Sequence, residues 1–171
     1  VFEGLNLAVL FKLPCIFIIE NNKYGMGTSV ERASASRDLS QNGAAWGIPG
    51  EQVNGMDVAS VREAGERAVA HCRAGKGPYL LEMKTYRYRG HSMSDPAKYR
   101  TREEVQKMRE TSDCIETARK ALLDDFGVTE ADLKVIDDEV KAIVQDSADF
   151  AQESPEPPES ELMTDILVEV G

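Results

Sequence analysis

The chain has 171 residues, 42% hydrophobic and 29% charged, a composition ordinary for a folded domain with a real core. Its net charge is −10, with 13 Lys+Arg against 10 Asp+Glu over residues 1–100 and 7 against 20 over residues 101–171. That acidic balance argues against general nucleic-acid binding, and no apolar run is long enough to cross a bilayer.

Residues 1–11 read as a nearly all-apolar helix, with Phe2, Leu5, Ala8, Val9 and Phe11 covering most faces, so the helix is expected to be buried. Glu3 and Asn6 share one side of it. Pro14 ends it. Cys15 to Ile19 then form a short branched and aromatic run, the pattern of a strand buried on both faces of a parallel sheet. Glu20, Asn21 and Asn22 follow at the strand's carboxyl end, and Gly25 and Gly27 come shortly after. Ligands bind at that end in open α/β sheets. Amide and backbone oxygens suit magnesium or calcium, and glycines allow close backbone approach. A plain Asn-Gly turn explains the same residues equally well.

Residues 30–40 read as a polar loop leading to a short helix near Ala44 to Trp46. Gly47 to Gly50 is a turn, and residues 51–54 a short strand with Val53 inward. Asp57 is a good N-cap for helix 58–74, whose stripe is Val58, Val61, Gly65, Ala68, Val69 and Cys72. Gly75 is the expected residue after its C-terminus, and His71 beside the stripe reads as structural. A second strand covers residues 79–86. Strand, helix, strand in this order gives an α/β fold with a parallel sheet and crossover helices.

That second strand runs into Tyr86-Arg-Tyr-Arg-Gly-His-Ser-Met-Ser-Asp-Pro96, so Arg87, His91 and Ser92 should face the same crevice as Asn22. Arginine forks and a histidine suit a diphosphate or a carboxylate. Gly90 would free the backbone to present His91, and residues 92–96 form a loop with room to move. A solvated basic loop is the alternative. Beyond it, Thr101 with Glu104 reads as a capping box, Asp113 with Glu116 opens a helix carrying Ile115, Ala118, Leu122 and Phe126 inward, and Gly127 ends it. Thr129 caps a long helix with Leu133, Ile136, Val140, Ile143 and Phe150 on one stripe, read as ordinary core or a subunit interface. Residues 154–158 are a proline-rich linker, and residues 166–170 a short edge strand. Cys15, Cys72 and Cys114 have no zinc or CxxC spacing. All three read as small buried hydrophobes in a reducing compartment, cytosolic or mitochondrial matrix.

Two motifs in order, the strand ending in Asn21-Asn22 and the run Tyr86 to Pro96 with Tyr99-Arg-Thr-Arg-Glu-Glu104, closely resemble the alpha-subunit family of the pyruvate dehydrogenase E1 component. Pro155-Glu-Pro-Pro158 resembles its C-terminal region, and the likeness covers essentially the whole chain. The resemblance implies the diphosphate-binding domain of a thiamin diphosphate fold, truncated at its N-terminus, with residues 1–100 as an incomplete diphosphate and magnesium core and residues 101–171 as an acidic helical region. Asn22 resembles the magnesium ligand through its side-chain oxygen, and Tyr24 through its carbonyl. A third ligand, the Asp of a Gly-Asp-Gly loop, would lie upstream of Val1. Gly25 and Arg87 resemble cofactor-binding residues, and His91 resembles the active-site histidine beside the diphosphate and the substrate channel. Ser92 and Ser29 match regulatory phosphorylation sites of the mitochondrial enzyme.

The implied reaction is oxidative decarboxylation of pyruvate with acetyl transfer to lipoamide. The implied assembly is an α2β2 heterotetramer with an E1 beta subunit, docked on the E2 dihydrolipoamide acetyltransferase. Arg89 stands where mammalian members usually carry a second His, and the segment Pro96 to Tyr99 is shorter by one residue. Both departures suggest a bacterial, cytoplasmic relative and weaken the case for kinase control. A branched-chain or acetoin-type 2-oxo acid dehydrogenase, a noncatalytic phosphate-binding or assembly module, and an inert fragment are the alternatives.

Overall fold

A computed structural model describes residues 1–164. These divide into two compact units, the first of residues 1–121 and the second beginning at residue 122. In the first unit, helix α1 (Phe2–Leu10) leads to strand β1 (Ile16–Asn21), a two-residue hairpin β2 (Tyr24–Gly25) and β3 (Thr28–Ser29), and a single helical turn α2 (Val30–Ala33). A 3₁₀ stretch (Leu39–Trp46), strand β4 (Gly50–Asn54), helix α3 (Val58–Arg73) and strand β5 (Tyr79–Lys84) follow. Helices α4 (Arg102–Ser112) and α5 (Cys114–Asp125) come next, the latter running across the boundary between the units.

The main sheet is parallel, in the order β1-β5-β4, with Ile16 opposite Tyr79 and Gly50 opposite Leu80. The expected α/β fold with a parallel sheet is therefore present. β5 is central, and its Leu80 and Leu81 are fully buried on opposite faces, as a strand covered on both sides requires. On one face Leu81 packs with Val53, Ala64 and Ala68, and on the other Leu80 packs with Leu5 and Ile48. Helix α3 lies close to the sheet because its inward residues are alanines. Its actual stripe is Ala64, Ala68 and Cys72; Val58, expected inward, is 66% exposed. Asp57 caps it through Ala59 N–H, as predicted.

Other expectations need correction. β1 is an edge strand of the described sheet, so Ile18 is 61% exposed rather than buried on both faces. Helix α1 buries only Leu5 and Ala8, because the 3₁₀ stretch covers one side alone, where Phe2 stacks on Trp46. Ile115 and Phe126 of the α5 region point outward. Cys114 is exposed at the first turn of α5, whereas Cys72 is buried as predicted. His71 packs edge-on to Tyr79 at 5.2 Å, a structural position.

In the second unit, helix α6 (Glu130–Glu153) starts with a true capping box in which Thr129 and Asp132 exchange hydrogen bonds. Its Ile136, Val140, Ile143 and Phe150 are all more than half exposed, so this stripe is not core within the described chain. Residues 154–158 carry no regular structure, and a 3₁₀ turn (Glu159–Met163) follows. The strand expected at 166–170 lies outside the described residues.

Candidate functional site

The sheet places Asn21 and Lys84, the last residues of β1 and β5, side by side. Everything that follows these two strand ends meets in one region. Asn22, Tyr24, Arg87 and His91, four of the six polar residues singled out from the sequence, line one recess of about 30 Å³ together with Met26, Arg89, Tyr99 and Arg100, whereas Ser29 and Ser92 do not. That volume has room for an ion or a water, not for a cofactor body.

Asn22 is held at both ends of its amide. Its Nδ2 donates to Glu20 at 3.1 Å, and its Oδ1 accepts from the Thr85 hydroxyl at 2.6 Å. The oxygen is thus oriented, and it keeps a second lone pair for another partner. Tyr24 follows a left-handed residue, Lys23 (φ 69°), in the turn into the β2–β3 hairpin. The strained residues of this turn are Lys23 and Met26, not the glycines. A Cβ on Gly25 would meet nothing within 4 Å, whereas one on Gly27 would press on the Tyr99 ring at 3.3 Å. In place of a plain turn the segment forms a short hairpin whose Gly27 lies against the Tyr99 ring.

The basic loop is tied down rather than loose. The Asp95 carboxylate accepts from His91 N–H at 2.7 Å, Ala97 N–H at 2.8 Å and the Tyr99 hydroxyl at 3.0 Å. The hydrogen bonds from the His91 and Ala97 backbone hold its carboxyl below the ordinary value. Gly90 serves this closure: a Cβ there would sit 2.7 Å from the Asp95 carbonyl oxygen. Its role is close packing, not freedom for the imidazole. Arg100 straps the loop's start by donating to the carbonyls of Arg87 and, at 2.7 Å, Tyr88, with its guanidinium over the Tyr86 ring. Arg87 in turn donates to the His91 carbonyl at 3.1 Å. Arg87, Arg89 and His91 remain accessible on the outer side.

Helix α4 grips the same region. Thr101 accepts from Glu104 N–H, but the Glu104 carboxylate does not return the bond expected of a capping box. It accepts instead from the hydroxyls of Tyr86, at 2.9 Å, and Tyr24, at 3.2 Å. Burial, and then Glu104, pushes both phenols above their usual value. Tyr88 donates to Asp113 at 3.0 Å, and burial followed by that bond pushes it up to about 12.

The largest omission of the sequence reading is Glu82. It sits in the middle of β5 and is fully buried. One oxygen accepts from Asn21 Nδ2 at 2.7 Å. The other accepts from Leu39 N–H, Ser40 N–H and Gln52 Nε2, at 2.8, 3.1 and 2.9 Å. The signal available was a lone charge inside the apolar run Tyr79-Leu-Leu-Glu-Met. Residues of that kind are buried only with full hydrogen bonding.

Neutral oxygen donors at one strand end, with arginines and a histidine at the next, suit a magnesium ion bridged to phosphate oxygens. Among the described residues there is no cluster of three His, Cys, Asp or Glu, so the oxygens these residues offer a metal here are amide and carbonyl oxygens. Ser92 is exposed, 3.0 Å from the Ser94 hydroxyl, and Ser29 precedes α2.

A parallel α/β sheet with its polar residues gathered at neighbouring strand ends belongs to the open-sheet α/β class, whose ligands sit at that end. The particular family follows from comparison: the model of the "Dehydrogenase E1 component" family matches residues 1–160, and the chain belongs to that family. Similar proteins include the pyruvate dehydrogenase E1 component subunit alpha of Rhizobium meliloti, 63% identical over 98% of this chain and 48% of the relative. The subunit of the same name from Zymomonas mobilis is 54% identical over 98% of this chain and 47% of its own length. The human somatic mitochondrial form is 54% identical over 95% of this chain and 41% of its own length. The chain spans about half the length of the curated relatives it matches, or less.

Proposed function

We propose that this chain is part of the alpha subunit of a pyruvate dehydrogenase E1 component, which decarboxylates pyruvate oxidatively and passes the acetyl group to lipoamide. The observation that carries this reading is the convergence of Asn22, Tyr24, Arg87 and His91 on one recess, in a chain 63% identical to a relative of that name. In this reading thiamin diphosphate supplies the electron sink for decarboxylation.

This chain's residues do the holding. Asn22 Oδ1 and the Tyr24 carbonyl would hold a magnesium ion, which would neutralise charge on the diphosphate. Gly25 leaves open space beside the hairpin. Arg87 offers its fork to phosphate, and His91 holds or moves a proton beside it. Residues 1–100 form the diphosphate and magnesium core, and residues 101–171 the acidic helical region. The partners are an E1 beta subunit, in an α2β2 heterotetramer, and the E2 acetyltransferase. The compartment is the bacterial cytoplasm, the bacterial relatives being among the most similar. Nucleic acid and membrane are not partners in this reading. A phosphate on exposed Ser92 or on Ser29 would add negative charge near the basic recess and weaken anion binding there.

The test uses the full-length alpha subunit assembled with its beta partner. Asn22→Ala should weaken magnesium-dependent thiamin diphosphate binding by more than about tenfold, read by calorimetry. Unchanged affinity would remove Asn22 from the site. His91→Ala should lower the rate of acetyl transfer by roughly a hundredfold with little change in cofactor affinity, and wild-type turnover would argue against its role.

A further inference from the structure

Glu82 lies behind the candidate site, and the holding roles just described do not use it. A buried carboxylate normally pairs with a cation. Here its hydrogen-bond partners are neutral: one side-chain amide on β1, two backbone N–H groups where the 3₁₀ stretch begins, and one side-chain amide on β4. A carboxylate can only accept. It therefore dictates which way its neighbours face, and the neighbour that matters is Asn21. Asn21 must turn its NH₂ toward Glu82, which leaves its Oδ1 facing the other way, where it accepts from Lys23 N–H at 3.0 Å.

Lys23 is the residue between Asn22 and Tyr24. It stands at φ 69°, a conformation a lysine holds only when its surroundings impose it. Its N–H is fixed by Asn21, and its carbonyl by Val30 N–H at 2.9 Å. The turn between Asn22 and Tyr24 is thus clamped from both sides, and one clamp leads through Asn21 to Glu82.

We propose that Glu82 is a positioning residue: through Asn21 it holds the Lys23 turn in the shape that presents Asn22 Oδ1 and the Tyr24 carbonyl to a divalent cation. This rests on the metal-site reading above. Glu82 touches neither metal nor substrate. Its other oxygen anchors the start of the 3₁₀ stretch and Gln52 of β4, so the turn's shape is referenced to the sheet itself.

The chemistry gives a discriminating exchange. Glu82→Gln replaces one acceptor by a donor. Whichever way the new amide turns, its NH₂ meets either the Asn21 NH₂ or the Leu39 and Ser40 N–H groups. Adding Asn21→Asp repairs the conflict. The amide introduced on β5 then donates to one oxygen of the carboxylate introduced on β1, while that carboxylate's other oxygen accepts from Lys23 N–H. The pair's total charge is the same as in the wild type.

The experiment measures binding of Mn²⁺, as a probe for Mg²⁺, by electron paramagnetic resonance in the full-length heterotetramer with thiamin diphosphate, beside turnover at saturating Mg²⁺. Glu82→Gln should raise the Mn²⁺ dissociation constant about tenfold and keep turnover at saturating metal within about twofold of wild type. The double variant should return the constant to within about threefold of wild type. A merely structural glutamate would lower the melting temperature without this split and without rescue.

Wild-type metal affinity in Glu82→Gln, or a double variant no better than the single, overturns the proposal. If Glu82→Gln does not assemble, Asn21→Ala, which removes the relay but keeps the other three bonds to Glu82, must raise the constant; an unchanged constant overturns it. Asn22→Ala separates the two readings. Lost affinity there with wild-type affinity in Glu82→Gln sinks the relay alone, and unchanged affinity in Asn22→Ala sinks the metal site and the relay together.

Discussion

Asp95 is the residue on which the basic loop closes, and it makes the loop sensitive to acid. Its carboxylate is held below its ordinary value of 3.8 by the N–H groups of His91 and Ala97 and by Tyr99. A depressed carboxylate contributes stability that is complete above its unfolded value and is lost as pH falls through its folded one. The loop should therefore keep its closure from neutral pH down to about pH 4 and open below that. Asp95→Asn should open it at neutral pH, with amide hydrogen exchange at His91 and Ala97 rising roughly tenfold; unchanged exchange would mean the backbone holds without the carboxylate. Tyr88 bears on the opposite end of the scale. Its phenol is raised to about 12, so its bond to Asp113 is intact at neutral pH and fails only in strong alkali. At this scale the sequence announces residue types but not partners. Asn22 and His91 are legible because their strand ends are. The hydrogen bonds of Glu82 are not, since they join residues 21, 39, 40, 52 and 82 across separate elements, and no local pattern records such a meeting.

Elements with a clear period and clear ends are the legible ones. Helix α3 starts after Asp57 and ends before Gly75 (φ 69°) as predicted, β4 (Gly50–Asn54) matches the expected 51–54 to within a residue, and β5 (Tyr79–Lys84) starts as expected but stops two residues short of 86. Of the expected α3 stripe, Ala68 and Cys72 are buried and Val61 packs on the core, while Val58 is exposed; Ala64, outside the expected stripe because an alanine carries little hydrophobic signal, has like Ala68 no exposed surface. Their smallness sets the distance from helix to sheet. Ala68→Leu should destabilise the first unit by about 1–3 kcal/mol through overpacking, seen as a lower urea midpoint; a neutral result would mean the helix can lift off the sheet freely. The cap of α6 is a gentler test. Thr129→Ala should cost about 1 kcal/mol, read by helix melting in circular dichroism. The stripes of α1 and α6 are apolar, as their periodicity says, but largely uncovered. Periodicity identifies a face that favours burial, and it does not say whether the same chain supplies the cover.

At the scale of the molecule, apolar exposure is the dominant physical fact. Phe2, Leu10 and Phe11 in the first unit, and Ile143, Val144 and Phe150 in the second, are each more than 60% exposed. Patches of this kind on a soluble chain are interaction surfaces or aggregation hazards. The chain produced alone should bind a hydrophobic dye such as ANS strongly, and the full-length subunit with its partner should bind it weakly. Equal binding in both would mean that assembly leaves these faces open. The charge division into a mildly basic first hundred residues and an acidic remainder is fully visible in the sequence.

The placing of β5 between β1 and β4 has a consequence in time. Among the described residues β1 and β4 are not neighbours in the main sheet; each pairs with β5, the later strand. Within the described residues, neither the β1–β5 nor the β4–β5 ladder can form until residues 79–84 have arrived. These two ladders depend on long-range closure. When β5 enters, both ladders form and Glu82 arrives in the same event, so the sheet and the hub behind the Asn22 turn are completed together.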